Sequence, residues 1–323
     1  MGNSVKISFR HRDRGGFPFV ALLITLLLCA GFNDDLLSQS RPFSNSHFTT
    51  INGLKLHYRV WEPSKENLVG NVFMVHGFGG STFSWQGVAD SLQQLGYRAV
   101  AIDVPPFGFS DRAPRQNHSV TARASLLIAL LEQEFPGTTW HLAGHSMGGG
   151  IVQAMALMEP SLFESVNFVA ATLFSSIKPG SRQSPLWMSI PGLTSFAGNI
   201  AESWIINRSR IEQLLTSAYG QNPSPEQVEG YLLPLQVPGT ARSILHMQRF
   251  NKELTELDAK ALSIPALAIW GENDTWVSLQ SRKSILEQIY GVQLRVIKQA
   301  GHNPMETHFK EFIDIYIAFL DNL

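Results

Sequence analysis

Hydrophobic and polar positions change rhythm along this chain. From His47 to Ile51, and again from Leu54 to Trp61, they alternate on either side of Asn52-Gly53. A period of two predicts strands with one solvated face. Asn-Gly between them predicts a two-residue hairpin, because both turn positions need positive φ. Beyond the hairpin the pattern becomes short unbroken apolar runs set between longer stretches of helical spacing. Runs at Asn71–Val75 and Thr138–Leu142 predict buried strands, and those at Arg98–Val104, Val166–Ala171, Ile264–Trp270 and Val292–Ile297 predict further strands of a sheet covered on both faces. Trp85–Leu95, Val120–Glu134, Ile151–Met158, Leu279–Ile289 and Phe309–Leu320 carry apolar residues at the spacing of one helix face. Gly96, Pro136-Gly137 and Pro160 close three of them. Strand and helix in alternation predict an α/β fold: a mostly parallel central sheet with helices on both faces, and the first hairpin antiparallel at one edge.

The rhythm breaks between Ala171 and Ile264. Residues 173–258 hold helical pieces such as Ile200–Ile206 and Ile211–Tyr219 among glycines and prolines. This predicts a helical cap inserted between two core segments, 47–172 and 259–323. Apolar residues there, among them Trp187, Trp204, Tyr219, Tyr231 and Leu235, serve mostly as core between cap and sheet, and a few line a hydrophobic pocket.

The first residues follow a different logic. Lys6, Arg10, Arg12 and Arg14 precede an uncharged apolar run, Phe17–Phe32, which ends before Asp34 and Asp35. Basic then apolar, with small residues at Cys29, Ala30 and Gly31, is the order of a secretory signal; an uncleaved membrane anchor and a buried helix are the alternatives. Residues 33–46 are polar and predict a linker. Residues 17–32 are thus the expected point of membrane association.

Charge and composition narrow the partners. The net charge is −1, with no basic run in the body of the chain, which argues against a nucleic acid partner. Cys29 is the single cysteine, and no Cys/His cluster suggests a metal site, so neither metal nor cofactor is expected.

Candidate chemistry gathers in the loops after the predicted strands, the edge at which such sheets bind ligands. Gly144-His145-Ser146-Met147-Gly148 lies between a predicted strand and a predicted helix. There a Gly-x-Ser-x-Gly reads as a nucleophile elbow, whose turn is too sharp for side chains two residues either side of the serine. A serine hydroxyl needs a base to take its proton, and the base needs an acid to orient it. His302, just after the last strand, is the candidate base. Asp274, in the turn after the strand ending at Trp270, is the candidate acid, with Glu272 as the other carboxylate in that turn. An oxyanion needs two donors. The main-chain N–H groups of Met147 and of Phe78, in His76-Gly77-Phe78-Gly79-Gly80, are the candidates, with His76 shaping that loop. His141, His145, His246 and His308 are read as structural.

These residues resemble the α/β-hydrolase superfamily across roughly 47–321. The resemblance rests on His76 to Gly80, Asp103 to Asp111, Gly144 to Gly148, Gly271 to Asp274 and Gly301-His302, and on the chain order Ser146, Asp274, His302. It is similar to the cap-bearing branch of carboxylesterases, carbon–carbon bond hydrolases, haloperoxidase-like enzymes, epoxide hydrolases and haloalkane dehalogenases. The last two groups carry an aspartate nucleophile where this chain has Ser146. Some members place the acid after an earlier strand; here Thr172, Leu173 and Phe174 follow Ala171, with no carboxylate. Pro106 stands where relatives usually have glycine, near the mouth of the pocket. The resemblance implies a serine hydrolase acting on an ester of a small or medium hydrophobic substrate. A carbon–carbon hydrolase and a binding protein on the same scaffold are the alternatives. Three Asn-x-Ser/Thr sequences begin at Asn117, Asn207 and Asn273. A glycan on Asn273 would crowd Asp274, which points to a bacterial envelope and away from the endoplasmic reticulum.

Overall fold

The hairpin comes first in space as in sequence. Strand β1 (Ser46–Ile51) pairs antiparallel with β2 (Leu54–Trp61), and Asn52 and Gly53 turn the chain at φ 50° and 80°. Next come β3 (Gly70–Val75), β4 (Tyr97–Ile102), β5 (Trp140–His145) and β6 (Phe163–Val169). A two-residue pair, β7 (Ser176–Ile177) and β8 (Leu257–Asp258), stands apart from the sheet. β9 (Ala266–Gly271) and β10 (Gln293–Ile297) complete an eight-stranded sheet of order β1-β2-β4-β3-β5-β6-β9-β10. β1–β2 and β2–β4 are antiparallel, and every other pair is parallel. This is a computed structural model, and it describes residues 41–64, 67–113, 115–181, 206–247 and 251–323. The N-terminal expectations for residues 1–32, most of the 33–46 stretch, and cap residues 182–205 lie outside the described residues. No described helix is long and apolar enough to cross a membrane.

Neighbouring residues of β3 show how the pleat divides the core. Phe73 and Val75 join one apolar layer with α2 (Val120–Glu134) and α3 (Met147–Met158). Val72 and Met74 join the opposite layer with α1 (Gln86–Leu95). Two layers on one strand leave no wet face, so the strand reads as an unbroken apolar run. Each large side chain buried this way contributes roughly 1.5–3 kcal/mol. β10 departs from the expected cover on both faces. It is the last strand of the sheet, and Leu294 and Val296 remain 39% and 43% exposed.

A second departure is at the start. The compact unit runs from Phe43 to Leu323, so its packing reaches back into the stretch expected to be linker. The Arg59 guanidinium lies 3.9 Å from the centre of the Phe43 ring, and Ser46 is fully buried.

After β7 the described chain resumes as α4 (Arg208–Tyr219), α5 (Pro225–Leu235) and α6 (Thr240–Met247). Asn207 caps α4 by accepting from the Arg210 N–H, and Ser224 and Gln227 form a capping box on α5. Their apolar faces, with Ile211, Leu215, Leu232 and Ile244, close over Phe107 and pack against Phe78 and Trp276 from the loops at the strand ends and against Met147 at the start of α3. The core then finishes with α7 (Leu279–Leu286), α8 (Pro304–Thr307) and α9 (Phe309–Leu320).

Candidate active site

Ser146 sits between β5 and α3 at φ 49° and ψ −116°, a conformation that costs a non-glycine residue on the order of 1–3 kcal/mol. Its surroundings impose it. The Ser146 N–H donates to the Val169 carbonyl at 2.9 Å, and the Ser146 carbonyl accepts from the N–H groups of Gly149 and Thr172, both at 2.9 Å. The Thr172 hydroxyl adds a bond to the same carbonyl at 3.0 Å. The glycines answer to specific neighbours. A Cβ on Gly144 would lie 2.5 Å from the Gly148 carbonyl oxygen, and one on Gly148 would lie 2.2 Å from that of Val75.

His302 follows β10, and its Nδ1 lies 2.9 Å from Asp274 Oδ2, with both side chains buried. The other oxygen, Asp274 Oδ1, accepts from the N–H groups of Trp276 at 2.8 Å and Val277 at 3.0 Å. The Trp270 indole N–H then holds the Val277 carbonyl at 2.7 Å. A carboxylate on Nδ1 places the ring proton there and leaves the Nε2 lone pair as the base. Trp276 stacks on the His302 ring at 5.5 Å between centroids. Glu272 points elsewhere: it is exposed and accepts from the Gln299 N–H at 3.1 Å. Of the two carboxylates in this turn, the structure brings Asp274 to His302.

Ser146, His302 and Phe78 line one cavity of about 70 Å³ whose other walls are mainly apolar, Leu215, Leu235 and Ile244 among them. Met147 is the first residue of α3, where main-chain N–H groups have no acceptor within the helix. Across from it, His76 braces the glycine loop. Its Nε2 accepts from the Val104 N–H at 2.9 Å, which requires Nδ1 to be the donor to the Gly77 carbonyl, 2.6 Å away. Burial holds the His76 imidazole below its ordinary range. His145 is fixed too: its Nε2 donates to the His302 carbonyl at 2.9 Å, and burial, with His302 adjacent, pushes its pKa well below the usual value. His141 bonds Ser165 through Nδ1 at 2.9 Å, away from the cavity. Among the described residues no three His, Cys, Asp or Glu side chains are grouped to hold a metal ion.

The fold is shared with known proteins. The family described as alpha/beta hydrolase fold matches residues 70–309. This chain belongs to that family. Among curated relatives, an uncharacterized hydrolase, YugF, of Bacillus subtilis (strain 168) is 28% identical over 272 residues, covering 83% of this chain and 95% of the relative. Lipase 3 of Moraxella sp. (strain TA144) is 25% identical over 280 residues, covering 85% and 84%. Among solved structures, a bacterial membrane phospholipase A superposes with a TM-score of 0.69 at 22% identity, over 94% of this chain and 97% of that one. A meta-cleavage product hydrolase from Pseudomonas fluorescens IP01 also gives 0.69, at 21% identity, over 85% and 97%. The chain is therefore an enzyme of the hydrolase class.

This alpha/beta hydrolase has two buried clusters that sequence reasoning did not find. Asp103, directly after β4, is wholly buried and receives His57 Nδ1 at 2.6 Å, the Thr82 N–H at 2.6 Å and the Phe109 N–H at 2.8 Å. Burial alone would raise its carboxyl, but His57 and these donors hold it below the usual range. One side chain thus joins the end of the glycine loop to the loop after β4. Gly108, at φ +62°, admits it, since a Cβ there would lie 1.9 Å from the Asp103 carboxyl carbon. The available signal was a carboxylate ending an apolar strand, a position that demands partners. The second cluster surrounds Glu306, four residues beyond His302. The Tyr219 and Tyr231 hydroxyls donate to it at 2.8 and 2.6 Å.

Proposed function

We propose that this chain is a serine hydrolase that cleaves an ester of a small or medium hydrophobic substrate through an acyl-enzyme. The reading rests on one observation above all: His302 held on Asp274 beside a serine forced to positive φ, in a cavity with apolar walls. Ser146 Oγ attacks the ester carbonyl as His302 Nε2 takes its proton. The oxyanion forms beside the N–H groups of Phe78 and Met147. His302 passes the proton to the leaving alcohol, and water, deprotonated by the same imidazole, releases the acid and frees Ser146.

Residues 173–258 form the cap in this reading, and residues 1–32 direct the chain to a bacterial envelope, cleaved or retained as an anchor. Likeness to a lipase and to a membrane phospholipase supports both substrate class and location. The exposed side chain of Asn273, adjoining Asp274, favours a compartment without N-glycosylation.

Ser146→Ala decides the mechanism. It is expected to lose about 10³-fold or more of p-nitrophenyl butyrate turnover while keeping its melting temperature within a few degrees. Retained activity in a folded variant rejects the serine mechanism. Turnover of dienol-diketones but not of esters moves the assignment to carbon–carbon cleavage; a meta-cleavage product hydrolase is among the structural neighbours. Failure of the native chain to react with a fluorophosphonate leaves the binding-protein alternative. Deletion of residues 1–32 is expected to yield a soluble active enzyme; full-length protein found wholly in the cytosol with an intact N-terminus rejects the envelope assignment.

A further inference from the structure

Asn303, the residue after His302, directs its side chain away from its own helix. It stands at the N-cap of α8, where an asparagine ordinarily turns Oδ1 onto an N–H of the first turn. Here it makes no such bond, and the N–H groups of Glu306 and Thr307 go to the Asn303 main-chain carbonyl instead, both at 3.1 Å. The amide nitrogen donates twice, to Glu306 Oε1 at 3.0 Å and to the Tyr231 hydroxyl oxygen at 3.1 Å. The Tyr231 hydroxyl spends its proton on Glu306 and can only accept from Asn303, so the amide presents its N–H2 to this pair. Asn303 Oδ1 is then the remaining group, and it accepts no hydrogen bond among the described residues.

That oxygen belongs to a residue lining the same cavity as Ser146 and His302. The other polar side chains of the wall are committed. His145 bonds the His302 carbonyl, the Trp276 indole bonds the Ser217 hydroxyl at 3.1 Å, and the Tyr231 hydroxyl bonds Glu306. The rest of the lining is glycine or apolar. An acceptor left open in such a wall discriminates by its partner: a ligand that leaves it unmet is disfavoured by about 10-fold or more. Its place beside the histidine that protonates the leaving oxygen assigns it to the alcohol half of the substrate, since the acyl carbonyl lies toward Phe78 and Met147.

Resting on the ester reading above, we propose that Asn303 Oδ1 is a subsite for a hydrogen-bond donor on the alcohol half, selecting esters of hydroxylated alcohols over esters of plain alkanols. Glu306 is its positioning residue, and Tyr219 and Tyr231 tie that carboxylate to α4 and α5.

The test compares two near-isosteric substrates, 2-hydroxyethyl butyrate and propyl butyrate, on the full chain. The native enzyme is expected to favour the hydroxylated ester about 10-fold or more in kcat/KM. Asn303→Leu and, as a smaller change, Asn303→Ala are expected to bring the ratio near one, chiefly by raising KM for the hydroxylated ester. Glu306→Gln, which sets an N–H against the donors now bonded to the carboxylate, is expected to lower the ratio in the same way. A destabilising change without a role in selection would instead lower kcat for both esters together. Fluorophosphonate labelling of Ser146 shows that each variant keeps a formed site. A native ratio near one, or a ratio unchanged in either Asn303 variant, overturns the subsite while the ester reading stands. Absence of Ser146-dependent turnover of both esters overturns the ester reading, and the subsite with it.

Discussion

The main-chain N–H of His302 donates to the carbonyl of Ala218 at 2.6 Å. Ala218 is the penultimate residue of α4, so the candidate base is held from behind by a helix of the insertion as well as by Asp274 in front. The contact is close because Gly301 has no side chain: a Cβ there would lie 2.4 Å from the Ala218 carbonyl oxygen.

Gly301→Ala is therefore expected to push α4 away from the histidine loop. Turnover should fall about 10-fold or more, because imidazole placement within half an ångström governs proton transfer. Steady-state kinetics beside a thermal melt measure it. A variant with native kcat shows that the helix does not position the base.

Asp274→Asn removes the acceptor that fixes the His302 tautomer and is expected to lower kcat by about 10³–10⁴-fold. Glu272→Gln, whose carboxylate meets only the Gln299 N–H in the described structure, is expected to stay within about threefold. Comparing the two under one assay assigns the acid, and reversed effects move it to Glu272.

Acid should unfold this enzyme early. Burial pushes the imidazoles of His76, His118 and His145 below their ordinary range, that of His118 to about 3 with help from the Arg123 charge. The unfolded chain takes up protons on all three near pH 6.5, and the folded chain takes them up only at lower pH. The stabilisation is thus complete above about 6.5 and is lost as pH falls, most plainly for His118 and His145, whose imidazoles are lowered furthest. Glu306 works in the opposite direction, since burial raises its carboxyl and favours the folded state on the acid side of that raised value. Calorimetry at pH 7.5, 6.5 and 5.5 should show the melting temperature falling, and His118→Gln should flatten the slope by about one proton. A melting temperature constant across this range contradicts the assignment.

What could be read from the chain was whatever its local punctuation encodes. Ser146, Asp274 and His302 each follow an apolar run at a turn rich in glycine, so strand end and turn were visible together. The Asp103–His57 pair and the Glu306 network were not, because their members stand 46, 75 and 87 residues apart and share no periodicity. Only the fold decides that they meet. Phe43 was hidden for a different reason. A stretch of Ser, Asn, Arg and Pro has the composition of a tether, yet the Phe43 ring beneath Arg59 and the Asn45 side chain, bonded to Arg59 and to the Val60 carbonyl, tie it to the hairpin.

β7 and β8 have only two residues each, but they are the two ends of the excursion from the sheet. Ser176 faces Asp258 and Ile177 faces Leu257 across an antiparallel pair, and the Ala259 N–H closes onto the Ser175 carbonyl at 2.8 Å. The chain thus departs and returns through one stitch, which Gly180 and Ser181 extend by bonding Glu253. A segment of another length or composition, borrowed from a different member of the family and sewn in at that stitch, would leave the register of β6 and β9 undisturbed. The lining above Ser146 can then be exchanged as one piece, provided the incoming segment again offers the His302 N–H an acceptor in the place of the Ala218 carbonyl.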